Sequence, residues 1–382
     1  MKSIDTPLAP RIDGFAFVRA LGAGSTANVY LYRQLDSNRL AAIKVSRESL
    51  DPAIAARFAK EADMMARLSS HPHILSVYGT GVTSRGLGYI IAEYAPGGTY
   101  KELTQTQPLT CEQMLDLGVK LCGALAEAHR AGIIHRDIKT SNILVTADGL
   151  PALADFGIAS TIYDKTFTGY SLPWASPEVL CGHAGRETAD IYSLGATLYA
   201  TLVGESPFEY GYRPRSSSEL AQLIINSPVP PFNGSDTDVP ADIGKALYRA
   251  MEKRPDERYH CALDFGRELQ RLQQTHFGHI TPITAEGVMP YPEQRTAPSQ
   301  ATIAKSAKSR AWAKPVAVLL LIIVALTALA CLFAFVVVPR MDSAPIGKRT
   351  QIIAPETRNE PDRTLVASYV CAERAGKHGG AS

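Results

Sequence analysis

The octapeptide HRDIKTSN at residues 135–142, followed by the tripeptide DFG at 155–157, decides the fold of this chain. Asp137 is a carboxylate that can orient an attacking hydroxyl, and Lys139 is a cation that can lie beside a transferred phosphate. Asn142 and Asp155 are oxygen ligands of the kind that magnesium prefers. These two short motifs therefore contain the groups that one phosphoryl-transfer step requires.

Six further elements surround these motifs in a defined order. The upstream elements are LGAGSTANVYL at 21–31, AIK at 42–44 and an apolar-periodic segment that carries Glu61. The downstream elements are SPE at 176–178, DIYSLG at 190–195 and RPDERY at 254–259. One tripeptide is common in proteins, but this ordered series is not. The chain therefore resembles a Hanks-type, eukaryotic-like protein kinase, and Lys139 is similar to the serine/threonine branch of that family.

The spacing of apolar residues predicts two lobes of different composition. Residues 15–48 alternate apolar and polar side chains, as hairpin strands do, and residues 71–94 contain further short β runs. Three- and four-residue steps between apolar positions predict helices over 52–69, 186–204, 216–227, 240–252 and 260–277. We therefore expect an α+β, bilobal protein-kinase fold with a β-rich N-lobe, an α-rich C-lobe and ATP in the cleft between them.

The segment GAGSTANV at 22–29 resembles the glycine-rich phosphate lid of the family. Glycine lets backbone N–H groups approach a triphosphate without a Cβ clash, and Ala27 is a small replacement for the third glycine. No Walker-type P-loop motif occurs in the sequence, which argues against a P-loop NTPase. The resemblance implies that ATP is bound by Leu21, Gly22, Gly24, Val29, Ala42, Lys44, Glu93, Ala95 and Leu144.

The resemblance also implies the roles of the catalytic and metal-binding residues. Asp137 would act as the orienting base, and it needs no raised pKa because deprotonation of the hydroxyl is late. Asn142 and Asp155 would hold the metal ion, Mg²⁺ or Mn²⁺. The catalytic set implied by the family is Asp137, Lys139, Lys44 and Glu61.

Lys44 would contact the α- and β-phosphates and be held there by a carboxylate of the nearby helix. Glu61 is the predicted partner, because it lies on the inward helix face, where an unpaired acid would be costly. Glu48 and Asp63 are the alternative partners, and both lie off the apolar stripe. The alternative for Lys44 itself is an edge-strand lysine whose ammonium stays in water.

At the hinge IIAEYAPGG at 90–98 and directly after it, two side chains differ from those usual in the family, one in size and one in charge. Ala92 falls at the gatekeeper position, where relatives usually have a larger residue, so an open back pocket is expected. Thr99 falls where many relatives carry an acid for the ribose, and the ribose contact is therefore left unassigned.

Residues 155–178 resemble the activation segment of the family. Arg136, directly before Asp137, is typical of kinases in which this arginine pairs with a phosphate on that segment. Thr166 and Thr168 are therefore the predicted phosphoacceptors. Ser171 aligns with a family threonine that contacts the catalytic aspartate and lysine.

Three carboxylate and guanidinium groups outside the cleft resemble structural residues of the family. Glu178 and Arg258 would form the ion pair that anchors the activation segment. Asp190 would brace the backbone of the HRD motif. An ordinary surface or capping carboxylate is the alternative for both acids.

The composition excludes several classes of function. The formal net charge of +2 gives no reason to expect a nucleic-acid partner. The six cysteines form no CxxC pair, which argues against structural zinc and fits a reducing compartment for most of the chain.

An uncharged apolar run at 316–338 is long enough to cross a bilayer as a helix. A buried core helix is the alternative, but such helices usually carry a polar face. The excess of Lys and Arg before this run is slight, whereas a domain that needs ATP and follows no apolar leader is expected to stay inside. We therefore expect a single-pass protein of the inner or plasma membrane, with a cytoplasmic kinase domain and the C-terminus outside.

These observations predict five regions and one activity. The regions are a disordered lead-in at 1–13, a kinase domain at 14–277, a juxtamembrane linker at 278–314, a transmembrane helix at 315–338 and a short extracytoplasmic tail at 339–382. The expected function is a bacterial serine/threonine kinase that phosphorylates proteins and itself in transmembrane signalling. Its expected partners are protein substrates, and a homodimer is left open. A membrane-tethered pseudokinase scaffold and a small-molecule kinase are the rival functions.

Overall fold

The computed structural model describes residues 9–24, 27–51, 65–156, 171–232 and 238–287. Several predicted features lie outside these residues, so the structure bears on none of them. They are Glu61, Asp63, Thr166, Thr168, most of the predicted activation segment and the apolar run at 316–338. Within the described ranges, no helix combines the length and the apolar character that crossing a membrane requires.

The N-lobe is a five-stranded antiparallel sheet in the order β1-β2-β3-β5-β4. One face of the sheet packs Tyr30 and Tyr32 of β2 against Ile43 and Val45 of β3. The predicted β-rich N-lobe is thus confirmed. The strands are β1 (Phe15–Ala23), β2 (Ala27–Gln34), β3 (Leu40–Ser49), β4 (Val77–Val82) and β5 (Leu87–Glu93).

The C-lobe is mostly helical and contains one small hairpin, β6 (Ile143–Val145) paired with β7 (Pro151–Leu153). The four C-lobe helices predicted by range from the sequence are confirmed as α4, α6, α7 and α8. Among the described residues of this lobe, the helices are α1 (Tyr100–Thr106), α2 (Cys111–Arg130), α3 (Pro177–Leu180), α4 (Glu187–Val203), α5 (Pro207–Tyr212), α6 (Ser217–Asn226), α7 (Ala241–Ala250) and α8 (Ala262–Phe277).

Local sequence fixes where the two central helices begin and end. Thr110 and Gln113 form a reciprocal capping box that satisfies backbone N–H groups at the start of α2. Gly204 ends α4 in the left-handed conformation, with φ of 85°, which glycine adopts without strain. Helix α2 packs closely on α4 and α8 at Gly118, where no side chain intervenes. A Cβ added at Gly118 would lie 2.6 Å from Leu269 and 2.9 Å from Leu198.

The packed region extends beyond the predicted domain limits of 14 and 277. Ile12 is buried in the N-lobe core, and the Tyr32 hydroxyl donates a 2.5 Å hydrogen bond to the carbonyl of Pro10. At the other end, Thr281 is buried against α8. The structure therefore differs from the predicted lead-in at residues 9–13 and from the predicted linker at 278–287, because both pieces carry groups that the domain buries.

Candidate active site

A cleft of about 400 Å³ opens between the sheet of the N-lobe and the C-lobe. Gly24 does not line the cleft, and its amide instead closes the β1–β2 turn on the carbonyl of Ala27 at 2.8 Å. All other predicted ATP-binding residues line the cleft, namely Leu21, Gly22, Val29, Ala42, Lys44, Glu93, Ala95 and Leu144.

Lys44 joins the two lobes across this cleft. Strand β3 carries it between β2 and β5, and its Nζ lies 2.8 Å from Oδ1 of Asp155. Burial raises the pKa of the Asp155 carboxyl, but the ammonium of Lys44 outweighs that effect and holds the pKa below its usual value. Asp155 is therefore a carboxylate at neutral pH, and the two residues form an ion pair at the end of the cleft.

Asp137, Lys139 and Ser171 are joined by three short hydrogen bonds. The Lys139 ammonium lies 2.7 Å from Oδ2 of Asp137 and 2.6 Å from Oγ of Ser171. The Ser171 hydroxyl donates to the other carboxylate oxygen, Oδ1, at 2.7 Å. The contacts expected of Ser171 from the sequence are thus found in the structure. An aspartate held on both oxygens has a defined direction in which to point at a substrate hydroxyl.

Asp190 holds the backbone of the catalytic loop from below. Its two carboxylate oxygens accept the amides of His135 at 2.7 Å and Arg136 at 2.8 Å, and Oδ2 also pairs with Nε2 of His129 at 2.8 Å. Asp190 has no exposed surface, so each of these bonds is shielded from water. They hold Arg136 at a positive φ of 68°, which a non-glycine residue adopts only when its surroundings compensate.

The oxygens of Asn142 and Asp155 fit a magnesium ion. The Asn142 amide nitrogen donates to Asp137, which turns the amide oxygen of Asn142 away from that carboxylate. The two backbones are linked, because the amide of Ala154 donates to the carbonyl of Asn142 at 2.8 Å. One carboxylate oxygen of Asp155 remains beyond the bond to Lys44. Carboxylate and amide oxygens are the donors that a hard divalent cation takes.

Ala92, the predicted gatekeeper residue, lies in the lining of the cleft. On β5 it pairs with Ala42 of β3 and Val77 of β4, and it lines the cleft. The next residue, Glu93, uses its amide to bond the carbonyl of Ser76. Glu93 and Ala95 both line the cleft at the hinge.

Sequence reasoning missed Glu102 as a residue of this cleft. Thr99 caps α1, and its amide and hydroxyl both donate to Oε2 of Glu102 at 2.9 and 3.0 Å. The capping box folds the Glu102 carboxylate back into the cleft lining, beside Thr99. The sequence pattern Thr99-x-x-Glu102 is typical of a capping box. It could have indicated that the Glu102 carboxylate folds back beside Thr99.

Arg258 anchors the end of the predicted activation segment. Its fully buried guanidinium makes a bidentate pair with Glu178 at 2.7 and 2.8 Å and also donates to three backbone carbonyls. Burial raises the pKa of Glu178, but the guanidinium outweighs it and the net pKa is lowered. The predicted ion pair is thus present, and it ties α3 to the loop before α8.

A second, more open groove of about 660 Å³ begins at Lys139 and runs along the C-lobe. Its sides carry both signs of charge, with Lys101 on one wall and Glu205 and Glu209 on another. The groove shares Ser141 with the nucleotide cleft, so the two adjoin each other near the catalytic loop.

Three comparisons with known proteins agree with this geometry. The family described as "Protein kinase domain" matches residues 15–262. Serine/threonine-protein kinase PknK of Mycobacterium tuberculosis is 39% identical over 270 residues, which are 68% of this chain and 24% of PknK. Serine/threonine-protein kinase PknB of Mycobacterium leprae is 36% identical over 264 residues, which are 66% of this chain and 42% of PknB.

A solved structure matches the same region. It is a mutant form of the PknI kinase domain of Mycobacterium tuberculosis, 27% identical, with a TM-score of 0.51, and the match covers 70% of this chain and 99% of the other. The chain thus spans less than half of the length of PknK and of PknB, but nearly all of the PknI kinase domain.

Proposed function

Because this chain belongs to the protein kinase family, we propose that it transfers the γ-phosphoryl group of ATP to serine and threonine hydroxyls of proteins. The predicted enzyme class is confirmed for the domain by the family match and by serine/threonine kinases that are 36–39% identical. The observation that carries the proposal is the presence of two neighbouring charged pairs, Lys44 with Asp155 in the cleft and Asp137 with Lys139 beside it.

The residues of the cleft have separable tasks in this reaction. Asp137 accepts a hydrogen bond from the substrate hydroxyl, and the bonds from Lys139 and Ser171 fix its orientation. Lys139 lies where negative charge develops on the transferred group, and Lys44 holds the phosphates that stay on the nucleotide. Positioning and electrostatics therefore supply most of the rate enhancement, as is usual in phosphoryl transfer.

The nucleotide and its metal fit the residues present. The apolar walls formed by Val29, Ala42 and Leu144 accept a flat purine ring, and the hinge offers backbone groups at Glu93 and Ala95. Asn142 and Asp155 would hold Mg²⁺ or Mn²⁺, and such an ion neutralises charge on the phosphates when it is bound. Glu102 places a carboxylate at the mouth of the cleft, beside Thr99. This carboxylate can accept hydrogen bonds from the ribose hydroxyls, which fits the role that an acid at position 99 has in many relatives.

We also propose that the chain is anchored in a membrane and phosphorylates itself. The support for the anchor is the uncharged run at 316–338, and the expected topology places residues 9–287 in the cytoplasm and the C-terminus outside. The support for autophosphorylation is Arg136, which is held next to Asp137 and can pair with a phosphate on the activation segment. Protease protection of a C-terminal tag in intact membrane vesicles tests the topology.

Transfer of labelled phosphate tests the activity itself. The full-length chain is incubated with γ-labelled ATP, Mg²⁺ and a generic basic protein, and the labelled amino acid is identified after hydrolysis. Labelled phosphoserine or phosphothreonine that disappears in the Asp137→Asn variant supports the proposal. Nucleotide binding without transfer would instead indicate a pseudokinase scaffold, and transfer only to small molecules would indicate the other rival.

A further inference from the structure

Residues 281–286 form a strap that lies on the C-lobe after the last helix. The strap follows α8 and lies beyond residues 15–262, which the family match covers. Three groups of contacts hold it, one at each end and one in the middle.

The first end of the strap is fixed by a buried polar network at Thr281. Gln270 donates to the carbonyl of Thr281 at 2.7 Å, and Gln273 bonds both its amide and its hydroxyl at 2.6 and 3.0 Å. The Thr281 hydroxyl in turn donates to Asp116 of α2 at 2.7 Å. Both glutamines are almost fully buried, so their amides would be costly to leave without these partners.

The middle and the far end of the strap follow α2. Helix α2 has a glycine where the strap crosses it, and a Cβ at Gly123 would lie 2.4 Å from the carbonyl oxygen of Thr284. At the far end, the backbone amide of Glu286 donates to Glu127, and its carboxylate pairs with Arg130. The surface of α2 is thus shaped to receive this segment at three points along its length.

The strap also bonds His71, which lies in the loop before β4. Nε2 of His71 lies 2.7 Å from the carbonyl oxygen of Thr284, and the amide of His73 donates to Nδ1 of the same ring at 3.1 Å. Because Nδ1 accepts a hydrogen bond, the ring proton is on Nε2, and His71 donates to the strap. The histidine thus joins the strap to the loop in which it lies.

That loop connects the end of a helix to the region of Asp155. On one side, it follows the helical residues 65–68, and the amide of His71 caps them by donating to Leu68. On the other side, the loop is bonded to β7, because Leu153 donates to the carbonyl of His73 and accepts from the amide of Leu75. Strand β7 ends two residues before Asp155. A shift of the loop would therefore move both the helix end and the strand that precedes the metal-binding aspartate.

We propose that the strap positions the catalytic cleft by holding His71, so that docking of residues 281–286 on α2 sets the rate of phosphoryl transfer. His71 is a positioning residue in this proposal, since it acts through its loop and touches neither substrate nor nucleotide. The proposal rests on the proposed kinase function. It assigns a role to contacts that the kinase chemistry does not itself require.

Two substitutions of His71 separate positioning from simple packing. The amide nitrogen of His71→Gln can take the place of Nε2 and keep the bond to Thr284, whereas His71→Asn can keep the bond from His73 but cannot reach the strap. In the full-length chain, well below its unfolding temperature, we expect His71→Asn to lower kcat about tenfold, the effect of one lost buried hydrogen bond, and His71→Gln to restore it. Hydrogen exchange of residues 65–75 should quicken in His71→Asn alone.

A variant at the other end of the strap gives an independent test. Thr281→Val removes the hydroxyl that bonds Asp116 and Gln273, without touching the loop of His71. It should lower kcat in the same way and add little in a His71→Asn background, because both changes release the same contact. Gln274→Ala, an exposed change on α8, is the matched control and should leave kcat unaltered.

The outcomes distinguish the strap from the proposed function. Wild-type kcat in both His71→Asn and Thr281→Val, with the wild type active, would overturn the proposal and leave the kinase function intact. A lower unfolding temperature with unchanged kcat and unchanged exchange at 65–75 would also overturn it, because the strap would then only stabilise the C-lobe. A wild-type chain that transfers no phosphate contradicts the proposed function instead, and the exchange measurement still reports on the strap.

Discussion

The Ser171 hydroxyl donates a 2.7 Å hydrogen bond to Oδ1 of Asp137. Ser171 comes from the far end of the predicted activation segment, whereas Asp137 lies in the catalytic loop, so this bond joins the two. The same hydroxyl accepts from Lys139 at 2.6 Å. The position of the segment therefore bears directly on the orientation of the residue that receives the substrate hydroxyl.

Replacing Ser171 should alter turnover more than substrate affinity. In Ser171→Ala, Oδ1 of Asp137 loses the hydrogen bond that it accepts from Ser171. We expect kcat to fall about tenfold, as for one charge-assisted hydrogen bond. Ser171→Thr keeps the hydroxyl and should stay within about twofold of wild type. Steady-state kinetics with a peptide substrate measures both, and an alanine variant with wild-type kcat would show that this bond does not orient Asp137.

The small residue at 92 should admit bulky ATP-competitive ligands. Ala92 lines the cleft beside the hinge, where a larger side chain would close the space behind the purine. A purine analogue with a bulky aromatic group should inhibit the wild type and lose at least about tenfold in potency against Ala92→Phe by steric overlap. The KM for ATP should change little, because the hinge contacts to adenine are made by the backbone. Equal inhibition of both proteins would mean that the hinge has been aligned incorrectly.

Arg136 should acquire a phosphate partner. Its backbone is fixed by Asp190, and a guanidinium beside the catalytic loop favours a phosphorylated residue nearby. We expect mass spectrometry after incubation with ATP to find phosphate on Thr166, on Thr168 or on both, and Arg136→Ala to lower activity without removing the phosphate. An active wild type without phosphate between residues 158 and 171 would rule out this mode of activation.

Acidification should destabilise the folded domain below about pH 6.5. Burial lowers the pKa of His71, His73 and His135 from their usual value, and nearby acceptors offset only part of that effect. The unfolded chain then binds protons that the folded chain does not, so the free energy of unfolding falls as pH drops below the unfolded pKa. The slope is at most about 1.4 kcal/mol per pH unit for each histidine.

Unfolding curves at pH 7.5, 6.5 and 5.5 measure this dependence. His71→Gln removes one of the three titrating groups while keeping its hydrogen bond, so its stability should depend less steeply on pH than that of the wild type. Identical slopes for the two proteins would show that His71 does not contribute.

The chemistry of the site could be predicted because it restricts residue type and spacing. Asp137, Asn142 and Asp155 must be carboxylate or amide groups at set distances along the chain, and the structure brings them together. Gly24 was predicted to bind nucleotide from the same kind of motif, but its amide is used to close the turn. A motif fixes which residues are present, whereas the local hydrogen bonds decide which of them face the cleft.

Contacts between distant segments could not be predicted in this way. Gln270 and Gln273 read as ordinary polar residues of an amphipathic helix, and only the folded chain shows that both are buried against Thr281. The composition of 278–311 favours a linker, since Pro, Thr and Ser are frequent there. Its first residues pack because α2 provides a glycine, at 123, and an acid, Asp116, at matching positions.

The central claim is that one cleft carries out phosphoryl transfer with Lys44, Asp137 and Asp155. The most direct measurement is the single-turnover rate of phosphate transfer from Mg·ATP to a protein substrate by the full-length wild type and by Lys44→Met, Asp137→Asn and Asp155→Asn. We expect each variant to remain folded, with the circular dichroism spectrum of the wild type, and to lose at least about 10²-fold in rate, because preorganised charge supplies most of the catalysis. Variants that transfer phosphate at the wild-type rate would contradict the account.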